Sequence, residues 1–301
     1  MKTFKRIGLF LVLNLVIIMT ISIILRLFNV QPYLTQYGLN YTELAIFCLI
    51  WGMGGSLISL MLSRQMAKWA MGVQIINPRS ATADQKDLYE TVKRLAKKAH
   101  LKAIPEVGIF QSNDINAFAT GPTQRRSLVA VSSALLDEMD AKEREAILGH
   151  EIAHIANGDM VTMTLLQGVV NAFVMFLARV LAFALSAASR GDNRRSGSGS
   201  YFMLVFLFQI VFMILGSMIV CAYSRWREYR ADRGGAHLST KANMIQALTH
   251  LKATQRRKTK AQPALQAFMI KMPSKEGLLR LFSTHPPLDT RIKRLSKHED
   301  L

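Results

Sequence analysis

The sequence predicts a predominantly α-helical integral membrane protein, with about four transmembrane helices and an α+β domain containing a small sheet. Three observations lead to this prediction. Half of the 301 residues are hydrophobic, and they are concentrated in a few long runs. The charged residues fall between those runs. A soluble stretch between the second and third runs shows helical periodicity followed by short strand-like segments.

The apolar runs are long enough to be membrane spans, since about 20 residues cross a hydrocarbon core of roughly 30 Å. They are Ile7–Leu25, Leu44–Leu62, Met160–Ala188 and Tyr201–Tyr223. Basic residues precede the first run and no clear small-residue cleavage site follows it, so we interpret it as an uncleaved helix. The stretch Trp51–Gly55 in the second run either lets another helix approach closely or is simply a tolerated glycine cluster.

The distribution of basic residues predicts the topology. They flank the first pair of runs on both outer sides, so the positive-inside rule puts the N-terminus and the region after Leu62 in the cytoplasm. The loop Arg190–Ser200 is also basic, although four complete crossings would place it outside. Two interpretations remain open: the last two runs cross the membrane, or they form a buried or re-entrant hairpin.

The formal net charge of +18 suits either an anionic membrane surface or nucleic acid. We favour the membrane and expect no nucleic-acid partner, because basic flanks of spans explain much of the charge and no recognition motif accompanies it. Cys48 and Cys221 lie in apolar runs and are not spaced as metal ligands, so the cysteines predict no disulfide framework.

The runs divide the chain into four segments. Residues 1–63 and 160–223 are predicted hydrophobic hairpins, and residues 64–159 and 224–301 are the two parts of a cytosolic domain. In this domain the sequence predicts a helix and then three short strands. These are Ala83–His100, Glu106–Phe110, Asn116–Thr120 and Ser127–Ser132.

His150, Glu151 and His154 belong to the pattern HEIAH, on a helix that Asp140 and Glu143 begin with a capping box. The four-residue spacing puts both imidazoles on one helix face, where they can bind one Zn²⁺ and where Glu151 can take a proton from metal-bound water. The flanking residues are uncharged, and burying these polar groups without a metal would be costly. The alternative is an ordinary histidine pair in a core helix.

A catalytic zinc usually has three protein ligands and one open position. Asn157 and Met160 occupy positions where an extended motif would require Gly and His, so the third ligand must lie elsewhere. We predict that Glu228 is this ligand and that Asp232, four residues later, hydrogen-bonds the outer nitrogen of a ligand histidine. Alternatively, both acids pair with nearby arginines on a surface helix.

Two other functions are disfavoured. The charged segment Asp137–Glu145 directly precedes HEIAH, and such charge is expensive in hydrocarbon. We therefore expect the site beside the membrane, which argues against an intramembrane-cleaving protease. A non-proteolytic scaffold or metal-binding adaptor would not need Glu151.

The chain resembles, over nearly its whole length, the HtpX heat-shock membrane metalloprotease family, the bacterial relatives of the CAAX prenyl endopeptidases. Besides the basic N-terminus and first hairpin, four short segments carry the resemblance. They are Asn116–Ala119, His150–Asp159, Arg227–Asp232, and Thr284–Pro287 followed by Arg291.

This resemblance implies a gluzincin-type endopeptidase with a zincin-like catalytic domain and one zinc ion. It implies a bacterial cytoplasmic (inner) membrane protein whose active site faces the cytoplasm. The implied substrates are damaged or misfolded polypeptides, including membrane proteins, and self-cleavage is also seen in the family. The oligomeric state is left open.

The resemblance also suggests roles for two further segments. Asn116, Ala117 and Phe118 resemble an edge strand along which a substrate adds as a β-strand, or they belong to an ordinary sheet strand. His285 and Arg291 are each candidates for stabilising the oxyanion, or the turn after His285 simply packs near the site. We favour a functional role for His285 and leave Arg291 undecided.

Overall fold

The computed structural model describes residues 19, 23, 34–35, 38–188, 198–260 and 280–297. All of the predicted first span except Met19 and Ile23 lies outside the described residues, as does most of the basic loop before Ser200. The chain divides into two compact units. One combines Met1–Leu60 with Thr162–Val220, and the other combines Met61–Val161 with Cys221–Leu301.

Helices dominate the described chain, as the sequence predicts. They are α1 (Tyr41–Met71), α2 (Ala83–Lys98), α3 (Ser133–Glu138), α4 (Ala141–Ala156), α5 (Asp159–Ala188), α6 (Ser198–Leu238), α7 (Lys241–Lys260) and α8 (Leu288–Lys297). The strands are β1 (Leu34–Thr35), β2 (Gly38–Leu39), β3 (Gln74–Ile75), β4 (Glu106–Phe110), β5 (Ala117–Thr120) and β6 (Leu128–Ser132). The predicted α2 and the three predicted strands agree with these bounds to within two residues.

Three of the described helices, α1, α5 and α6, are long and apolar enough to cross a membrane. They contain the second, third and fourth predicted runs. The 31 residues of α1 measure about 46 Å at the usual helical rise, which exceeds the roughly 30 Å of a hydrocarbon core. The sequence therefore located the apolar stretches correctly, and α5 matches its run to within one residue. Helices α1 and α6 extend beyond their apolar runs, because polar turns continue the same helices.

Close helix packing explains the glycine-rich stretch in the first unit. A Cβ atom built on Gly52 of α1 would lie 2.5 Å from the backbone nitrogen of Ala172 on α5. Similarly, a Cβ on Gly168 of α5 would lie 2.6 Å from the Met53 sulfur. Of the two interpretations of this stretch, the structure supports close approach by another helix, which small residues permit in membranes.

The second unit contains a mixed sheet with the strand order β3-β4-β6-β5. Strands β4 and β6 are parallel, and β5 pairs with β6 in the antiparallel direction. All five residues of β6 are buried, whereas β5 is an edge strand. Helix α4 packs against β5, so the sheet edge lies beside the helix that carries HEIAH.

A capping box begins α4. The Asp140 side chain accepts a hydrogen bond from the Glu143 backbone nitrogen at 2.8 Å, and the Glu143 carboxylate accepts one from the Asp140 backbone nitrogen at 3.1 Å. Such a cap contributes about 1 kcal/mol of stability. Leu148, Ile152 and Ile155 of α4 are almost wholly buried in the core of this unit, so the helix has little freedom to shift.

Candidate metal centre

His150, His154 and Glu228 come together although Glu228 lies 74 positions after His154 in the chain. The Nε2 atoms of the two histidines are 3.1 Å apart. Glu228 Oε2 lies 3.6 Å from His150 Nε2, and Glu228 Oε1 lies 3.4 Å from His154 Nε2. All three side chains are buried, so their polar atoms converge on one point away from bulk water.

These distances fit a metal centre. Ligand atoms bound at about 2.0–2.1 Å in tetrahedral geometry lie about 3.3–3.4 Å from one another, close to the observed separations. Glu228 Oε1 is buried and accepts no hydrogen bond from the described residues, which would be costly for a carboxylate without another partner. The three residues therefore form a group that can hold a metal ion.

Each of the two histidines contacts a second carboxylate through its other ring nitrogen. His150 Nδ1 lies 3.1 Å from Asp232 Oδ1, the partner that the sequence predicted. Arg291 donates from Nε to Asp232 Oδ2 at 2.8 Å and from Nη2 to Asp232 Oδ1. This planar, two-point contact fixes the Asp232 carboxylate and through it the His150 ring.

His154 has a similar carboxylate neighbour, which the sequence did not predict. His154 Nδ1 donates to Asp159 Oδ2 at 2.7 Å, and Arg230 pairs with the other oxygen of Asp159. Asp159 is completely buried. Because a carboxylate accepts the Nδ1 proton, the Nε2 lone pair of His154 remains available for a metal.

The local charges favour a bound cation. Burial opposes a charge on His150, but the adjacent carboxylates of Asp232 and Glu228 outweigh this effect and raise the pKa of His150 to about 9. Burial also opposes the charge on Arg291, yet its bond to Asp232, together with Glu228 and Glu151, raises the pKa of Arg291. A metal ion entering this negative field would displace the proton from His150.

Glu151 follows the first ligand on α4 and is only partly buried. Its charge is one of the smaller causes that raise the pKa of Arg291. Among the described residues, no hydrogen bond or ion pair holds this carboxylate. The Glu151 carboxylate is therefore not committed to another described side chain.

His285 lies on the outer side of the centre. Its Nδ1 is 2.8 Å from Glu228 Oε2, while 64% of its side chain is exposed. Three backbone carbonyls of residues 280, 281 and 283 accept hydrogen bonds from Arg225 Nη1, which fixes the chain segment that leads to His285. The structure thus brings His285 to the site, whereas the Arg291 guanidinium is turned toward Asp232.

Glycines allow α4 and α6 to approach closely enough to join the ligands. A Cβ built on Gly235 would lie 2.9 Å from the His150 backbone nitrogen, and one on Gly234 would lie 2.5 Å from the Ala153 Cβ. Larger residues would push the helices apart. Glu228, Asp232 and Gly235 are spaced by four and three residues, so they share one face of α6.

The predicted substrate segment lies at the open edge of the sheet. Asn116 accepts a hydrogen bond at its carbonyl from the Ser132 nitrogen, at 2.8 Å. Hydrogen-bonded pairs alternate along an antiparallel ladder, so Phe118 also bonds to β6 while the main-chain groups of Ala117 and Ala119 point outward. The Phe118 ring packs against Phe110 at 5.5 Å and is not presented to a ligand.

Replacing Asp159 with Asn is expected to lower metal affinity about 10- to 100-fold, because partners of metal-bound histidines have effects of that size. The amide removes the negative acceptor that orients His154. Competition against a chelator measures the affinity, and Asp137→Asn, an exposed change, is the control. Equal affinity in the Asp159→Asn and wild-type proteins would show that Asp159 does not orient a ligand.

Comparisons with known proteins agree with these features. The model of peptidase family M48 matches residues 82–299. A "Protease HtpX homolog" from Bacillus licheniformis is 48% identical over 298 residues, which cover 97% of this chain and 98% of that relative. A "Protease HtpX" from Alcanivorax borkumensis is 47% identical over 294 residues, with the same coverage of both chains.

The fold is also similar to that in a crystal structure of S. mikatae Ste24p. The two structures superpose with a TM-score of 0.65 at 17% sequence identity. The alignment covers 97% of this chain but 65% of the Ste24p chain, so this chain spans just under two thirds of that protein's length. At this identity the likeness concerns the fold alone.

Proposed function

Because the chain belongs to peptidase family M48 and is a membrane-bound metalloprotease, we propose that it is a zinc-dependent endopeptidase that hydrolyses damaged or misfolded membrane proteins. The observation that carries this proposal is the buried triangle of His150, His154 and Glu228. Glu151 follows His150 on the same helix, and its carboxylate makes no hydrogen bond or ion pair with the described residues. This combination provides a metal site and a base in one cleft.

Zinc is the metal that this ligand set favours. Two imidazole nitrogens and one carboxylate are a typical donor set for catalytic zinc, which keeps a further position open for water or substrate. A site for magnesium or calcium would be built mainly from oxygen atoms. We therefore propose one zinc ion, bound by His150, His154 and Glu228.

The proposed mechanism assigns a separate task to each side chain. When bound, zinc supplies Lewis-acid activation of water and of the scissile carbonyl. Glu151 takes the proton from the attacking water and then delivers it to the leaving amine nitrogen. Asp232 and Asp159 keep the Nδ1 protons of His150 and His154 in place, so that both Nε2 atoms remain available as ligands.

We propose that residues 64–159 and 224–301 together form the catalytic domain, and that 1–63 and 160–223 form two membrane hairpins. The composition of the second compact unit supports this division, because it contains every residue assigned to the metal centre. Basic residues flanking the first hairpin support a cytoplasmic active site. The bacterial origin of the relatives supports a location in the cytoplasmic membrane.

Removing and restoring the metal tests the function. Purified protein in detergent or nanodiscs is expected to cleave casein, to stop when a chelator removes the metal, and to recover when zinc but not magnesium is added. A misfolded membrane protein offered beside its folded form tests the substrate class, and the misfolded form should be cleaved faster. Cleavage that persists in protein shown to be free of metal would refute the zinc mechanism.

Substrate addition along β5 predicts a separate kinetic effect. Ala119→Pro removes an outward N–H group without removing a bond to β6, and we expect KM to rise about 2- to 10-fold, the effect of one lost hydrogen bond. Ala119→Ser keeps the N–H and is the control. Unchanged KM in a metal-loaded Ala119→Pro protein would exclude this edge as the docking strand.

A further inference from the structure

We propose that Arg227 stabilises the negative charge that develops on the carbonyl oxygen of the scissile peptide bond. The proposal rests on the proposed function and adds a residue that the sequence analysis did not assign. Arg227 directly precedes the ligand Glu228 on α6. Three features of its guanidinium support the assignment: its distance from the ligands, its unused donors and its permanent charge.

The Arg227 guanidinium lies at the edge of the metal centre. Its Nη2 atom is 3.8 Å from Glu228 Oε1, the same oxygen that lies 3.4 Å from His154 Nε2. A separation of 3.8 Å is an ion-pair distance but is too long for a hydrogen bond. Arg227 is therefore drawn to the ligand carboxylate without using its N–H donors on it.

The Nε donor of Arg227 also lacks a hydrogen-bond partner that a ligand could supply. Its Nε atom is buried and makes no hydrogen bond among the described residues. About 19% of the Arg227 side chain is exposed, so part of it is open to solvent. Buried donors are normally satisfied, and an unsatisfied one beside a catalytic centre suggests that a ligand completes it.

The other cationic groups around the centre already have partners. Arg291 contacts Asp232 through two nitrogens, and Arg230 pairs with Asp159. The Nδ1 atom of His285 is hydrogen-bonded to Glu228 Oε2, and the imidazole is charged only when it is protonated. Arg227 approaches the opposite oxygen of Glu228 and combines a permanent charge with unused donors.

A donor placed beside the metal would share the negative charge that develops during the reaction. As the water oxygen bonds to the carbonyl carbon, Glu151 takes a water proton and the π electron pair moves onto the carbonyl oxygen. Arg227 donates hydrogen bonds to that oxygen and keeps its own protons. The electron pair on this oxygen then re-forms the C=O bond, and the C–N bond breaks. The amine nitrogen takes the proton from Glu151 as it leaves. Donors fixed before the reaction stabilise this charge most effectively.

The test compares Arg227→Met and Arg227→Lys with Arg233→Met, an exposed control on the same helix. We expect kcat of the zinc-loaded Arg227→Met protein to fall about 10²- to 10³-fold, as for loss of one oxyanion donor. Metal affinity and KM should change less than about threefold. Arg227→Lys should show an intermediate loss, because it keeps the charge without the planar donor group. Arg233→Met should match the wild type.

A binding measurement separates transition-state from ground-state contacts. A peptide phosphonamidate resembles the transition state, because its tetrahedral group carries a negative oxygen. Arg227→Met should weaken its binding by about the same factor by which it lowers kcat. In a Glu151→Gln background, the same change should leave the affinity for an uncleaved peptide unaltered. Unchanged kcat, equal weakening of both ligands, or a tenfold loss of metal affinity would each overturn the proposal. Failure of the wild-type protein to use zinc would instead refute the proposed function.

Discussion

A Glu151→Gln protein is expected to bind metal normally and to lose about 10²- to 10⁴-fold in kcat, the range for removing a general base. The amide keeps the size of the side chain but cannot take a proton from water. Because Glu151 is not among the residues that converge on the metal position, the ligand triangle should stay intact. Metal content and steady-state cleavage of a fluorogenic peptide provide the two readouts.

The matched control is Glu145→Gln, which changes a carboxylate on the same helix α4. Glu145 pairs with Arg94 at 2.6 Å on the surface of the unit, and breaking a surface ion pair costs at most about 1 kcal/mol. Full activity is expected for this control. Near-wild-type kcat in a metal-loaded Glu151→Gln protein would mean that another group acts as the base.

The sequence predicted most of the fold because most of its elements have a local signal. Apolar runs located three of the described long helices, and the pairing of Asp140 with Glu143 predicted the start of α4. The ends of α1 and α6 were not predictable from hydropathy, since α6, for example, continues beyond its apolar run to Leu238. Strands as short as Gln74–Ile75 have too few residues for a pattern and depend on pairing with β4.

The site residues that lie on one helix, α4, were predictable from the sequence. The spacing of His150 and His154 is local, whereas the partners of their outer nitrogens depend on tertiary contacts. Asp159 could have been suspected from its place just after the helix that ends near Asn157, yet only the structure shows it against His154. The contact of Gly235 with the His150 backbone likewise has no signal in the sequence beyond a pair of glycines.

Replacing Glu228 with Gln is expected to abolish stoichiometric metal binding and, with it, cleavage. The amide removes the only carboxylate among the three converging ligands. It also leaves Arg227 and Arg291, which lie 3.8 and 3.7 Å from the Glu228 carboxylate, with less negative charge nearby. Removing one partner from a buried charged group typically costs about 3–5 kcal/mol, so a lower melting temperature should accompany the loss of metal.

The loss of stability must be separated from the loss of the ligand. Glu143→Gln is the matched control, because Glu143 is also buried and binds His250 at 2.9 Å, away from the ligand triangle. We expect this control to melt earlier and yet to bind one metal ion per chain. Metal content is measured at a temperature where both variants remain folded by circular dichroism. One tightly bound metal ion per folded Glu228→Gln chain would rule out Glu228 as the third ligand, and the search would pass to the carboxylates of Asp232 and Asp159.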